Sequence, residues 1–194
     1  MLALPPAPTP ARPRLLVIAT ALFAGAVFIV MVSLISVYLD LRHQAGGTTA
    51  LWLPKRVRPS IVIGNIMFFG MLGACVLVQW AVDAVRRGSR RDAGVALGLA
   101  AAVALMVMNA QVFEYGRLKM AVASSNYATI YYTITGTFLA ALIGGLVLVG
   151  VTLFRTLGGR YSAKDAEGLV ATAVYWDVLT AALFLIWFVV YLFK

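Results

Sequence analysis

Long apolar stretches, separated by short charged connections, make up most of the chain. Five of them reach or exceed about 20 residues, the length that an α-helix needs to cross the hydrocarbon core of a bilayer. They lie at about 15–38, 61–84, 93–113, 127–154 and 169–193. The pattern predicts an all-α integral membrane bundle of five transmembrane helices that forms one unit over 15–194.

Residues 1–14 precede the first apolar stretch and are rich in proline. The basic residues Arg12 and Arg14 stand directly before that stretch, and no basic region precedes a short apolar core. A cleaved signal peptide has the opposite order and a shorter apolar region. We therefore expect a short disordered tail at the start of the first helix.

Composition supports a membrane protein. Hydrophobic residues make up 62% of the 194 residues and charged residues 12%, whereas soluble domains average about 25% charged residues.

The net charge of +9 comes from basic residues in the connections between the apolar stretches. We expect them to set the membrane topology rather than to bind nucleic acid. Nine of the 16 Lys and Arg residues fall on the N-terminal side, including the dense turn at 86–91. This bias predicts a cytoplasmic N-terminus and a C-terminus outside.

The chain has one histidine, His43, and one cysteine, Cys75. One histidine excludes haem held by two histidines of this chain, and also a histidine-rich copper site. The cysteine is expected to be a small packing residue. No serine, histidine and aspartate set, phosphate loop or metal-ligand spacing is present. We expect no catalytic residue, metal site or bound cofactor in this chain.

Charged side chains stand mainly at the ends of the predicted spans. Asp83 precedes Arg86 and Arg87, and Glu114 precedes Arg117. We expect ion pairs at headgroup level, since a charge deeper in the membrane is costly. A proton-carrying role is the alternative for such acids.

Asp177 follows Tyr175 and Trp176, and the last span begins at about Leu169 or at Tyr175. Asp177 is expected to cap the last helix near the inner surface, where the loop at 160–164 neutralises it. A role in a proton route is the alternative. With Asp177 at a helix end, no acid is expected at the centre of a span. A proton-coupled transporter would then lack its central group.

Amide, small and aromatic side chains have predicted packing roles. Asn65, Asn109 and Gln111 are expected to form hydrogen bonds between helices, and Gly136, like the glycines after it, is expected to permit close helix approach. Large aromatic residues near the span ends are expected to lie at the membrane interface. These are Trp52, Tyr127, Tyr131 and Tyr132.

Several short motifs together resemble one family, subunit III of haem–copper (cytochrome c type) oxidases in its five-helix form. The motifs are Pro59 with Asn65, Gln111-Val112-Phe113-Glu114-Tyr115, Tyr131 to Gly136 followed by Gly144-Gly145-Leu146, and Tyr175-Trp176 opening a helix that ends at Tyr191-Leu192. The similarity extends over 15–194. Phe138 and Ala141 depart from the family by standing where it carries histidines. Asp177 replaces a family histidine, and Thr180 replaces its aspartate.

The resemblance implies a non-catalytic accessory subunit in a bacterial cytoplasmic membrane. Such a subunit packs on the catalytic subunit I and on subunit II, where haem and copper are expected. It also holds phospholipids and supports proton uptake in aerobic respiration. The residues that the resemblance and the polar pattern mark for lipid or subunit contact are Asn65, Gln111, Glu114, Tyr115, Gly136, Tyr175, Trp176 and Asp177.

Three other functions remain open from the sequence. An accessory subunit of a nitric oxide reductase is a close variant of the same family. An independent small transporter would be expected to show internal repeats, and the five spans are dissimilar. A membrane enzyme acting on lipid or quinone would need a general acid–base pair, for which the sequence offers few candidates.

Overall fold

The structure, a computed structural model, describes residues 14–54, 57–162 and 165–193. It contains five helices that are long and apolar enough to cross a membrane, which confirms the predicted fold. They are α1 (Leu15–Gln44), α3 (Ile61–Arg86), α4 (Arg90–Leu118), α5 (Asn126–Leu157) and α6 (Glu167–Ile186), and α6 continues as a π-helical segment, Trp187–Leu192. A short helix, α2 (Thr49–Trp52), lies in the first connection. The predicted tail lies almost entirely outside the described residues.

The helices run past the ends of the apolar stretches, most clearly in α1, which continues to Gln44. A helix satisfies its backbone groups internally, so it remains the favoured conformation where the hydrocarbon core gives way to headgroups. Local signals then end or begin each element. Gly88 closes the turn after α3 with φ of 81°, and the Ser125 side chain accepts a hydrogen bond from Ala128 N at 3.1 Å to cap α5.

Helix α6 is the most buried of the five and packs against α1, α3 and α5. It runs parallel to α1, because Leu16 N donates to Glu167 Oε1 at 2.7 Å at one end and Arg42 Nη1 donates to the Phe193 carbonyl oxygen at 2.6 Å at the other. It runs antiparallel to α3. Helices α3, α4 and α5 pack in sequence order. The first and last described helical residues therefore lie at opposite ends of the bundle.

Aromatic rings fill the space between α1, α5 and the first connection. Trp52 is only 5% exposed, and its ring centroid lies 5.3 Å from that of Tyr38 and 5.5 Å from that of Tyr127, both edge-on. Tyr127 stacks on Tyr131, and both are buried. Trp52, Tyr127 and Tyr131, which are expected at the membrane interface, are held by these ring contacts inside the bundle and not on its outer surface.

Candidate functional site: two polar clusters in the bundle

A buried carboxylate joins the start of α3 to the end of α4. Glu114 is 0% exposed and accepts hydrogen bonds from the Ser60 backbone N at 2.7 Å and from Arg117 Nε and Nη2 at 3.0 and 2.9 Å. Arg117 Nη2 also donates to the Arg58 carbonyl oxygen at 2.8 Å. The expected proximity of Glu114 and Arg117 is confirmed. Three donors satisfy a charge that would otherwise be costly to bury.

A chain of hydroxyl and amide groups lies beside this carboxylate, in the core between α4, α5 and the π-helical segment. Gln111 Nε2 donates to Tyr131 Oη, and Tyr191 Oη donates to Gln111 Oε1, both at 3.4 Å. The hydroxyls of Tyr131 and Tyr191 are 3.3 Å apart. Tyr115 Oη donates to Thr135 Oγ1 at 2.6 Å. This network connects three elements at one end of the bundle.

Sequence reasoning selected Gln111, Glu114 and Tyr115 but missed three of their partners, Ser60, Thr135 and Tyr191. The sequence marks Thr135 and Tyr191 only as motif residues, and Tyr131 only as a motif or interface residue. The missed signal is spacing, because Gln111, Glu114 and Tyr115 lie three and four residues apart and so share one helix face. Such a polar face on an apolar helix requires buried partners on the neighbouring helices.

The expected hydrogen bond between helices at Asn65 is present. Trp187 Nε1 donates to Asn65 Oδ1 at 2.8 Å, which joins α3 to the π-helical segment. Phe68 stacks on the Trp187 ring at 4.9 Å between centroids and holds the indole in place. Asn109 instead lies on the outer surface of α4.

Replacing Asn65 with leucine is expected to lower the free energy of unfolding of the isolated chain by about 0.6 kcal/mol, the average for a hydrogen bond between membrane helices. The Trp187 N–H loses its acceptor. Unfolding in detergent, followed by tryptophan fluorescence, measures the effect. Asn109→Leu is the matched control and is expected to cause no loss. Equal losses in the two variants would contradict the assigned role of Asn65.

Tyr175 and Trp176 lie inside the bundle. Tyr175 Oη donates to the Ala141 carbonyl oxygen at 2.8 Å, which joins α6 to α5, and its ring stacks on Phe23. Trp176 is fully buried. Gly136, by contrast, has open space where a Cβ atom would lie. It is therefore not needed for close helix approach within this chain.

Asp177 lies well inside the last span, so the expectation that it caps the helix is wrong. Helix α6 begins at Glu167, with Ala166 as its N-cap, so ten helical residues precede Asp177. The Asp177 carboxylate accepts hydrogen bonds from Cys75 Sγ at 2.9 Å and from Gln79 Nε2 at 2.8 Å, both on α3. The expectation that no acid lies near the centre of a span is therefore also wrong. Cys75 is a hydrogen-bond donor as well as a packing residue.

The remaining charged groups lie at helix ends. Asp83 and Arg87 form the expected ion pair, with both side chains more than half exposed. An exposed pair of this kind contributes little to stability. His43 is exposed in the last turn of α1. In the described ranges, no group of three or more His, Cys, Asp or Glu residues could hold a metal ion.

The comparisons with known proteins agree on one family. A family model described as "Cytochrome c oxidase subunit III" matches residues 15–194. Proteins named cytochrome c oxidase subunit 3 from Strongylocentrotus purpuratus and Thermostichus vulcanus are 27% and 24% identical, over 72% and 78% of this chain. A probable cytochrome c oxidase subunit 3 from Nocardia farcinica is 24% identical over 89% of this chain and 87% of its own length.

The length that is matched differs between these relatives. This chain spans 55% of the Strongylocentrotus protein and 50% of a relative from Prototheca wickerhamii, but 75% of the Thermostichus protein. It therefore spans about half the length of the first two.

Proposed function

The chain belongs to the cytochrome c oxidase subunit III family, and from this premise we propose that it is a non-catalytic accessory subunit of a haem–copper terminal oxidase. The observation that carries the proposal is the family match, which covers the whole bundle. In this role the chain packs on the catalytic subunit I and on subunit II. It holds phospholipids, supports proton uptake and stabilises the complex during aerobic respiration.

The distribution of side chains supports a partner that carries the redox chemistry. The chain has one histidine, at the exposed end of α1, so haem and copper belong to the partner subunits. The outer surface of the bundle is covered with large apolar side chains. Such a surface suits lipid tails and helices of other membrane subunits.

The predicted contact residues divide into two groups by burial. Gln111, Glu114, Tyr115, Tyr175 and Trp176 are buried or largely buried, and the first four form hydrogen bonds to other parts of the bundle. In the proposed role they hold the bundle rigid. Asn65, Gly136 and Asp177 reach the outer surface, and lipid or subunit contacts are assigned to them.

The chain is a multi-pass membrane protein, and its proposed location is the bacterial cytoplasmic membrane with the N-terminus in the cytoplasm and the C-terminus outside. The basic turn between α3 and α4, at 86–91, supports this orientation through the positive-inside rule. Reporter fusions test it. A reporter active only in the cytoplasm should work when inserted at Gly88 and fail after Lys119, and the reverse pattern would contradict the orientation.

The isolated chain tests the accessory role against the transporter alternative. Purified alone and reconstituted into liposomes, it is expected to show no haem absorption band and no proton or solute flux above empty vesicles. Added back to an oxidase preparation that lacks it, it is expected to prolong turnover. A haem band or a saturable flux from the chain alone would contradict the proposal.

The nitric oxide reductase alternative is tested on the complex. Reduction of nitric oxide instead of oxygen by the complex would favour a nitric oxide reductase.

A further inference from the structure

One polar cluster faces outward from the bundle instead of into it. Asp177 on α6 is exposed, as is Gln79 on α3, and Cys75 between them is partly exposed. Their hydrogen bonds cross from α3 to α6. We call this outward surface, formed by Cys75, Gln79, Asp177, Ala181 and Phe184, the α3/α6 face.

The cluster lies deep in the membrane, as both helices indicate. Asp177 follows the first residue of α6, Glu167, by ten positions, which corresponds to about 15 Å along the helix axis. Cys75 precedes the last residue of α3, Arg86, by eleven positions, or about 16 Å. Since the hydrocarbon core is about 30 Å thick, the Asp177 carboxylate lies within it and beyond the reach of the headgroups.

The donors within the bundle leave the carboxylate without a compensating charge. Cys75 and Gln79 are neutral, and among the described residues no lysine or arginine forms an ion pair with Asp177. Ionisable groups inside a membrane characteristically face protein or pair with one another, because lipid supplies no donor. Asp177 is exposed, so a compensating group can reach it from outside this chain.

We propose that the α3/α6 face is the surface on which a transmembrane helix of the catalytic subunit docks, with a cationic or hydrogen-bond-donating side chain of that helix placed against Asp177. This inference rests on the proposed function, since it requires the partner subunit. Charge complementarity identifies the occupant. A lipid tail offers no donor, and a lipid headgroup lies about 15 Å away along the membrane normal.

The surroundings of Asp177 suit a helix better than a disordered lipid. Ala181 lies one turn further along α6, is exposed and is small enough to permit close approach. Phe184 follows on the same stripe, is 44% exposed and packs against Phe68 of α3. The face therefore offers a small residue between a polar anchor and an aromatic one.

Photo-crosslinking in the assembled complex tests the placement without disturbing the carboxylate. A photoreactive residue at Ala181 is expected to crosslink to the haem-bearing subunit. The matched control is Ile143 on α5, which is exposed at a similar depth and is expected to crosslink only to lipid. Crosslinking to the partner from Ile143 and not from Ala181 would overturn the inference while leaving the proposed function intact. Failure to recover any haem-bearing partner would overturn the proposed function itself.

Substitution of Asp177 tests the role of the charge. Asp177→Leu is expected to weaken retention of the haem subunit about tenfold. The isolated chain is expected to keep its stability, because removal of a costly carboxylate offsets the loss of the hydrogen bonds from Cys75 and Gln79. Asp177→Asn keeps a hydrogen-bond acceptor, so its retention of the haem subunit is expected to lie between that of the unmodified chain and that of Asp177→Leu. Asp83→Asn is the control and is expected to leave retention unchanged. Full retention in Asp177→Leu would overturn the inference, as would a retention loss explained by unfolding of the isolated chain.

Discussion

Replacing Arg117 with methionine is expected to lower the free energy of unfolding of the isolated chain by about 2–3 kcal/mol. The change leaves the fully buried Glu114 carboxylate with the Ser60 N–H as its main donor. Breaking a buried pair costs about 3–5 kcal/mol, because a charge stays buried without compensation. The value here is lower, since the Arg117 side chain is 42% exposed and its own desolvation is partial. Thermal or denaturant unfolding in detergent measures the loss.

A double-mutant cycle separates the pair from the rest of the fold. Glu114→Gln together with Arg117→Met removes both charges, and the double variant is expected to be more stable than Arg117→Met alone. The control pair is Asp83 and Arg87, whose side chains are both exposed. Asp83→Asn with Arg87→Met is expected to change stability by less than about 1 kcal/mol. Similar losses for the two pairs would contradict the assignment of Glu114 as a buried link between α3 and α4.

Replacing Gly145 with leucine is expected to destabilise the bundle by about 3 kcal/mol, the upper range for overpacking a well-packed core. A Cβ atom at Gly145 would lie 3.0 Å from Leu179 Cδ1 and 3.2 Å from Tyr175 Cε1. The larger side chain must therefore push α5 away from α6. This also strains the hydrogen bond from Tyr175 to the Ala141 carbonyl. The free energy of unfolding, measured in detergent, gives the loss of stability. A spectroscopic probe of the Tyr175 ring is expected to show looser packing.

Gly150 provides the matched control on the same helix. Apart from its chain neighbours and the nearby backbone of its own helix, no heavy atom lies within 4 Å of where its Cβ would stand. Gly150→Ala is therefore expected to cause no loss and to stabilise the helix by up to about 1 kcal/mol, because alanine has less backbone entropy to lose. A loss in Gly150→Ala equal to that in Gly145→Leu would show that α5 does not pack as described.

Helix number and type follow from the sequence because the bilayer imposes a length. About 20 apolar residues per span and internally satisfied backbone groups leave few alternatives. The ion pair at Asp83 and Arg87 was predictable for the same reason, as both residues share one helix end and one face. The link between Glu114 and Arg117 has the same local origin.

Which way a side chain faces depends on neighbours that the sequence does not place. Tyr127 and Trp52 are residue types that favour the membrane interface. Both nevertheless pack against the ring of Tyr38 inside the bundle. The sequence predicts a cap at Asp177, because helix ends are weakly encoded and the local pattern does not fix where α6 begins. Its contacts with Cys75 and Gln79 depend on the antiparallel register of α3 against α6, which no local pattern specifies.

Purification of the tagged chain from native membranes in a mild detergent tests the central claim most directly. The account predicts that the chain co-purifies in a fixed ratio with a larger haem-bearing subunit, that the complex consumes oxygen, and that the haem band stays with the partner when the two are separated. Recovery of the chain as a stable complex without haem, or with a haem band that follows this chain alone, would contradict it.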